Sequence, residues 1–134
     1  MLIPKKTKFL KMHRGRLKGL AKKNNKIFYG EYAIQALEPT WLTSNQLEAI
    51  RKTISRYTKR TGKLWIKIFP DKSVTARPNE SRMGSGKGSV NFWVAIVKPN
   101  HILLELGHIS KILAYKALKM VSYKLPIKTR ILSK

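Results

Sequence analysis

The chain has 134 residues, of which 29 are Lys or Arg and only 6 are Asp or Glu; the formal net charge is +23, apolar residues make up 43%, and Cys is absent. That length suits one domain with one modest core, the apolar content argues against disorder throughout, and the missing Cys excludes disulfides, thiolate chemistry and Cys-based zinc sites. So unbalanced a charge repels itself in a compact chain and calls for an anionic partner; nucleic acid fits better than a membrane, since no run of about 18 apolar residues exists to span one.

Residues 1–26 carry ten Lys or Arg and no carboxylate. Here Lys5, Lys6, Lys8, Lys11, His13, Arg14, Arg16, Lys18, Lys22 and Lys23 are interleaved with Phe9, Leu10, Met12, Leu17 and Leu20. The pattern suits an extended arm on RNA, with its apolar residues tucked against the domain or between bases; a solvated tail is the bland alternative. The segment lacks the apolar stretch of a secretory signal, and Pro4 with few Ser speaks against a transit peptide.

"KIFYGEYAIQALEP" at 26–39 reads as one strand, or two short ones bent at Gly30. "TWLTSNQLEAIRKTISRYTKRTG" predicts a helix. Thr43 and Gln46 have capping-box spacing, Leu47, Ile50, Ile54 and Tyr57 form the apolar stripe, and Gly62 is placed to end it. Arg51, Lys52, Arg56, Lys59 and Arg60 populate the other face with only Glu48 opposing them, which marks a second RNA-facing surface.

"KLWIKIFPDKSVTARP" at 63–78 gives a strand with Leu64, Ile66 and Ile68 on one side, a turn at Pro70–Lys72, and a return strand from Val74. "NFWVAIVKP" at 91–99 is apolar on both faces, as a central strand would be, and "HILLEL" looks like its hairpin partner. A second helix is predicted over 109–124 with Ile109, Ile112, Leu113, Ala117, Met120 and Val121 on its inner side and Pro126 stopping it. The final "IKTRIL" is an edge strand or an RNA-contacting tail. The order predicts an α+β domain, a mostly antiparallel sheet with two packed helices. It occupies 1–134 as one unit: a basic arm at 1–26 and a body at 27–134 that holds a long glycine-rich loop at 77–90.

That loop contains "RMGSGKGS" at 82–89. A Walker A loop would need a glycine where Ser81 stands and Ser or Thr where Gly88 stands, and it would open a helix; this one leads into a strand. Nucleotide hydrolysis is therefore disfavoured. A stretch of about a dozen residues exceeds an ordinary hairpin loop. Gly84, Gly86 and Gly88 permit close backbone approach, Arg77, Arg82 and Lys87 offer phosphate contacts, and Met83 and Ser85 complete a segment suited to RNA.

"KRTGKLWIKIFP" at 59–70 and "RMGSGKGSVNFW" at 82–93 resemble the two signature segments of the large-subunit ribosomal protein family numbered sixteen in bacteria and organelles. The opening "PKKTKFLKMHRGRLKGLA" and closing "KLPIKT" match it too, and "YAIQALEPTWLT" resembles the cyanobacterial and chloroplast branch. The resemblance implies an α+β sandwich between the central protuberance and the stalk base. It implies binding to the large rRNA near 5S rRNA, neighbouring large-subunit proteins as partners, late assembly, and an ordered site for aminoacyl-tRNA. The leader from Lys5 to Lys23 would thread among rRNA helices, and the Arg82–Gly88 loop would point at the peptidyl transferase centre and the A-site tRNA. The implied location is a chloroplast ribosome, otherwise the bacterial cytoplasm, with no membrane and no cofactor. Leu10, Ser73, Asn100, His108 and Lys111 depart from the family pattern, Asn100 and His108 standing where it has glycine.

Two rivals belong to other classes. A free-standing architectural nucleic-acid protein would share the charge but not the paired signatures. An enzyme would need a constellation that is missing: the six carboxylates are scattered, and His13, His101 and His108 lack metal-ligand spacing. A ribonuclease built on His13 and Glu80 is the nearest approach, and no catalytic residue is expected. Trp41, Trp65 and Trp93 read as core or interface aromatics.

Overall fold

A computed structural model describes residues 2–84 and 86–134. Among these residues seven strands and two helices follow in the order β1 (Tyr32–Ala36), β2 (Thr40–Thr43), α1 (Ser44–Thr58), β3 (Lys63–Ile66), β4 (Lys72–Ala76), β5 (Ser89–Val97), β6 (Ile102–Gly107), α2 (Lys111–Lys124) and β7 (Thr129–Ser133). The α+β class and the two helices are as the sequence predicts. Two sheets replace the expected one: a four-stranded sheet ordered β3-β6-β1-β7 and a three-stranded sheet ordered β2-β5-β4. Every pairing is antiparallel.

The extra sheet corrects two hairpins. β4 does not return along β3 but pairs with β5, Ala76 opposite Ser89, so the 77–88 loop is the connection of that hairpin. "HILLEL" does not pair with β5 either; β6 lies between β1 and β3. The turn at Pro99–Asn100 carries the chain from one sheet to the other, and Asn100 takes a φ of 74° there. β2 lies in residues the sequence assigns to the helix approach, because Thr40–Thr43 pair with Val94–Val97 right up to the cap. "IKTRIL" resolves into β7, an edge strand on β1.

α1 begins as predicted: the Thr43 hydroxyl accepts from Gln46 N–H at 3.2 Å while Gln46 Oε1 accepts from Thr43 N–H at 2.9 Å. It ends earlier than Gly62, at Lys59, which is left-handed with φ 52° and whose N–H bonds the Ser55 carbonyl. In α2 the inner face is Ala114, Ala117, Leu118 and Val121, whereas Ile112 is 84% exposed and does not belong to it. Three-residue spacing from Ile109 would turn Ile112 inward, yet Ser110 is the N-cap, so Ile109 lies outside the helix and the phase shifts.

α1 and α2 pack together beneath the sheets. The core joins Leu47, Ile50 and Ile54 of α1, Leu118 and Val121 of α2, and Ile34, Leu42, Val97, Leu103 and Leu104 of the strands. Burying this set removes a large apolar area from water and fixes which sheet faces remain outside. β5 is central in its sheet, with Val94, Ala95 and Val97 buried, while Phe92 and Ile96 stay partly open to solvent.

Candidate nucleic-acid interface

The arm is extended without regular structure, and all its predicted RNA-facing residues from Lys5 to Lys23 are exposed. It is nonetheless held to the body. The Ser73 hydroxyl donates to the Leu10 carbonyl at 2.7 Å, Lys72 Nζ donates to the Arg14 carbonyl, Lys11 Nζ donates to the Lys87 carbonyl at 3.0 Å, and Lys87 Nζ donates to the Met12 carbonyl. Further along, Ala21 N–H reaches the Pro99 carbonyl at 2.9 Å, and the Asn24 amide reaches the carbonyls of Lys67 and Ile102 at 3.3 and 3.1 Å. The arm and the base of the glycine loop therefore form one cationic strip.

Lys72 lies inside that strip, 5% exposed, with Nζ 4.5 Å from the Trp41 ring centroid; the Arg14 guanidinium sits 5.7 Å from the same ring. Burial, and then the neighbouring charges of Lys87 and Arg14, hold the Lys72 pKa below its ordinary value. Trp41 is thus a half-buried interface aromatic beneath two cations.

In the loop, Arg77 Nη2 donates to the Arg82 carbonyl at 3.0 Å and to the Gly84 carbonyl, so this nitrogen braces the loop from within. Arg82 is exposed and Met83, 96% exposed, stands at the tip. Gly84 and Gly86 have φ of 95° and 89°, where a side chain would be strained although a Cβ would meet no atom within 4 Å. Gly88 closes the base, where a Cβ would lie 2.5 Å from the Ala76 carbonyl oxygen. Ser85 lies outside the described residues. Lys87 faces the arm rather than the tip.

On α1, Arg51 is engaged by Glu48, Nε to Oε1 3.1 Å, which lowers the carboxyl pKa and raises that of the guanidinium through the shared hydrogen bond. Lys52, Arg56, Lys59 and Arg60 remain exposed. His101 is half-buried before β6, its pKa lowered by burial and then by Lys98. No group of three or more His, Cys, Asp or Glu among the described residues is arranged to hold a metal. No helix among them is long and apolar enough to cross a membrane.

One constellation escapes the sequence reading. Glu105, fully buried in β6, accepts from three successive backbone amides: Phe28 at 2.7 Å, Tyr29 at 2.8 Å and Gly30 at 3.2 Å. Gly30 lies so close to β6 that a Cβ would fall 2.5 Å from the Leu106 carbonyl oxygen. Fixed this way, Phe28 and Tyr29 project outward at 73% and 58% exposure, beside Lys67 and Trp65. A lone acid inside "ILLELG" was the available signal, because an ionised group enters an apolar strand only with partners.

The family model for ribosomal protein L16p/L10e matches residues 4–132. The chain belongs to this family. It is 61% identical to the large ribosomal subunit protein uL16c of Rhodomonas salina over all of this chain and 98% of that protein. It is 60% identical to its namesake in Emiliania huxleyi, over all of this chain and 97% of that one, and 58% identical to that of Guillardia theta over both full lengths. As a member of the family and of its plastid branch, the chain is a structural ribosomal constituent and not an enzyme. The cationic strip gives this L16 member a surface suited to the rRNA that such a constituent binds.

Proposed function

We propose that this plastid large-subunit protein neutralises and orders rRNA near the central protuberance, close to 5S rRNA, and that its glycine loop reaches the A-site tRNA beside the peptidyl transferase region. One observation carries the reading: the arm from Leu10 to Arg14 is fastened to β4 and to the loop base by backbone-directed bonds from Lys72, Ser73, Lys87 and Lys11. Those bonds consume carbonyls and no carboxylate, so the exposed Lys11 and Lys87 keep their charge for phosphate, while the buried Lys72 serves to fasten the arm. An arm bound to rRNA would then fix the direction in which Arg82 and Met83 point. The α1 cations Lys52, Arg56, Lys59 and Arg60 offer a second set of phosphate contacts. Peptide bond formation is left to RNA; the chain contributes position and charge.

The test separates the two parts. Deleting residues 1–20, which removes seven Lys and Arg, should weaken rRNA binding and flatten its log–log salt slope by about 0.7 to 0.9 for each phosphate that is no longer neutralised. Arg82→Ala should leave subunits assembled while slowing A-site tRNA accommodation. An unchanged salt slope refutes the role of the arm. Subunits that fail to assemble around soluble, folded Arg82→Ala protein refute the role of the loop tip.

A further inference from the structure

We propose that Phe28 and Tyr29, with Lys67 and the lysines at 22, 23 and 26, form a seat for one unstacked RNA base where the end of the arm meets the body, apart from the helix face and the glycine loop. The inference rests on the reading of this chain as an RNA binder and assigns a binding site which that reading does not contain. Two large rings lie open to solvent although the fold does not need them in its core. They are not loose. Three consecutive amides of their own segment are gripped by the buried Glu105 carboxylate, and Gly30 is pressed against the Leu106 carbonyl. A pre-ordered aromatic surface binds with less entropy lost than a mobile one.

The rings meet edge to face, centroids 5.2 Å apart and planes at 73°, which makes a corner between two solvent-exposed side chains. Tyr29 is backed by Trp65 in near-parallel stacking at 6.0 Å, and Lys67 Nζ stands 4.2 Å from the Tyr29 centroid and 5.9 Å from that of Phe28. The corner opens onto a cleft of about 690 Å³ lined by Lys22, Lys23, Lys26, Lys67, Asn24 and His101 among others, with no carboxylate on its wall among the described residues. Flat π-faces beside clustered ammonium groups suit a base on the rings and its flanking phosphates on the lysines. An acidic protein segment would match the charge but would leave the ring faces without a planar partner. Stacking tolerates any base, so the seat selects an extruded nucleotide and not a sequence.

The experiment uses the full chain and a single-stranded oligoadenylate carrying one 2-aminopurine, whose fluorescence is quenched on stacking. Phe28→Ala with Tyr29→Ala should abolish the bound-state quenching and weaken binding by about tenfold, as expected when one base stack is removed, with the salt slope unchanged. Lys67→Gln should instead reduce that slope by about 0.7. Phe28→Leu, which keeps an apolar side chain without a π-face, should behave like the alanine variant at that position. Quenching that persists in the double alanine variant, or wild-type affinity in Phe28→Leu, overturns the seat. So does a double variant that binds RNA normally but no longer recruits a neighbouring subunit protein in reconstitution, since that would make the corner a protein-binding surface. Wild-type chain that ignores RNA altogether would instead bring down the broader RNA-binding reading.

Discussion

Replacing Glu105 by Gln is the sharpest probe of how this fold presents its outer aromatics. The carboxylate serves three donors, Oε1 taking Phe28 N–H and Oε2 taking both Tyr29 and Gly30 N–H. An amide of the same shape has a single acceptor oxygen. In its better orientation that oxygen keeps Tyr29 and Gly30, and the new NH2 faces Phe28 N–H, donor against donor. An orphaned buried donor costs about 1–3 kcal/mol, and exchanging a charged acceptor for a neutral one weakens the two surviving bonds by about 1 kcal/mol together. The expected loss is therefore about 2–4 kcal/mol, a large part of the roughly 5–15 kcal/mol that holds a domain folded. For a chain of this length it should lower the melting temperature by about 10 °C. Thermal unfolding by circular dichroism measures the loss, and hydrogen exchange at Phe28, Tyr29 and Gly30 locates it. A variant that melts within about a degree of the parent, or that keeps these amides protected, would show that Glu105 is not what orders the segment.

The strip between arm and body should be detachable: Ser73→Ala with Lys87→Ala removes two of its bonds, and trypsin should then cut after Lys11 or Arg14 several-fold faster while the body stays resistant. His108 adopts a φ of 57°, so His108→Gly should stabilise the chain by about 0.5–1 kcal/mol, and Asn100→Gly by less because Asn tolerates that region; denaturant midpoints check both. Because burial holds His101 below its ordinary value of 6.5, the unfolded chain takes up that proton first and stability should fall as pH drops below 6.5, levelling once the folded histidine is also protonated. His101→Gln should flatten that part of the pH–stability curve. With a net charge of +23, the free chain should melt higher as salt is raised from about 0.05 to 0.5 M, since screening relieves its self-repulsion; a flat or falling melting temperature contradicts this.

The legible elements were those whose signal is local. The α1 cap needs only Thr43 and Gln46 at the right spacing, and the stripe Leu47, Ile50 and Ile54 repeats at helical period, so both appear in the sequence and in the fold. Strand existence was legible for the same reason; strand partners were not. β4 and β6 each follow a turn that looks like a hairpin, yet the pairing is decided by which sheet can cover α1 and α2, a global property that no dipeptide records. Of the candidate interface, exposure and charge were legible in the arm, but the hydrogen bonds that tie Leu10, Met12 and Arg14 to residues some 60 to 75 positions away were not. Glu105 went unread because its partners are backbone amides, which have no letter in a sequence.

The distribution of partners also explains how the chain tolerates its charge. Among the described residues one ion pair occurs, Glu48 with Arg51, and it is on the surface, where such pairs contribute about 0–1 kcal/mol. The other cations that donate hydrogen bonds turn to neutral oxygens instead: Lys11, Lys72, Arg77 and Lys87 bond backbone carbonyls, and Arg130 bonds the Gln35 amide oxygen at 2.7 Å. A carbonyl dipole orients an ammonium or guanidinium group without cancelling its charge. The one deeply buried carboxylate among the described residues is likewise satisfied by amide N–H groups and neutralises no lysine. Neutral groups, chiefly of the backbone, thus do the ordering on both signs of charge, and nearly the whole positive field is left for an external polyanion. Had the same side chains been fixed by carboxylates, the strip would be as well ordered but close to neutral, and counterion release on meeting RNA would contribute little.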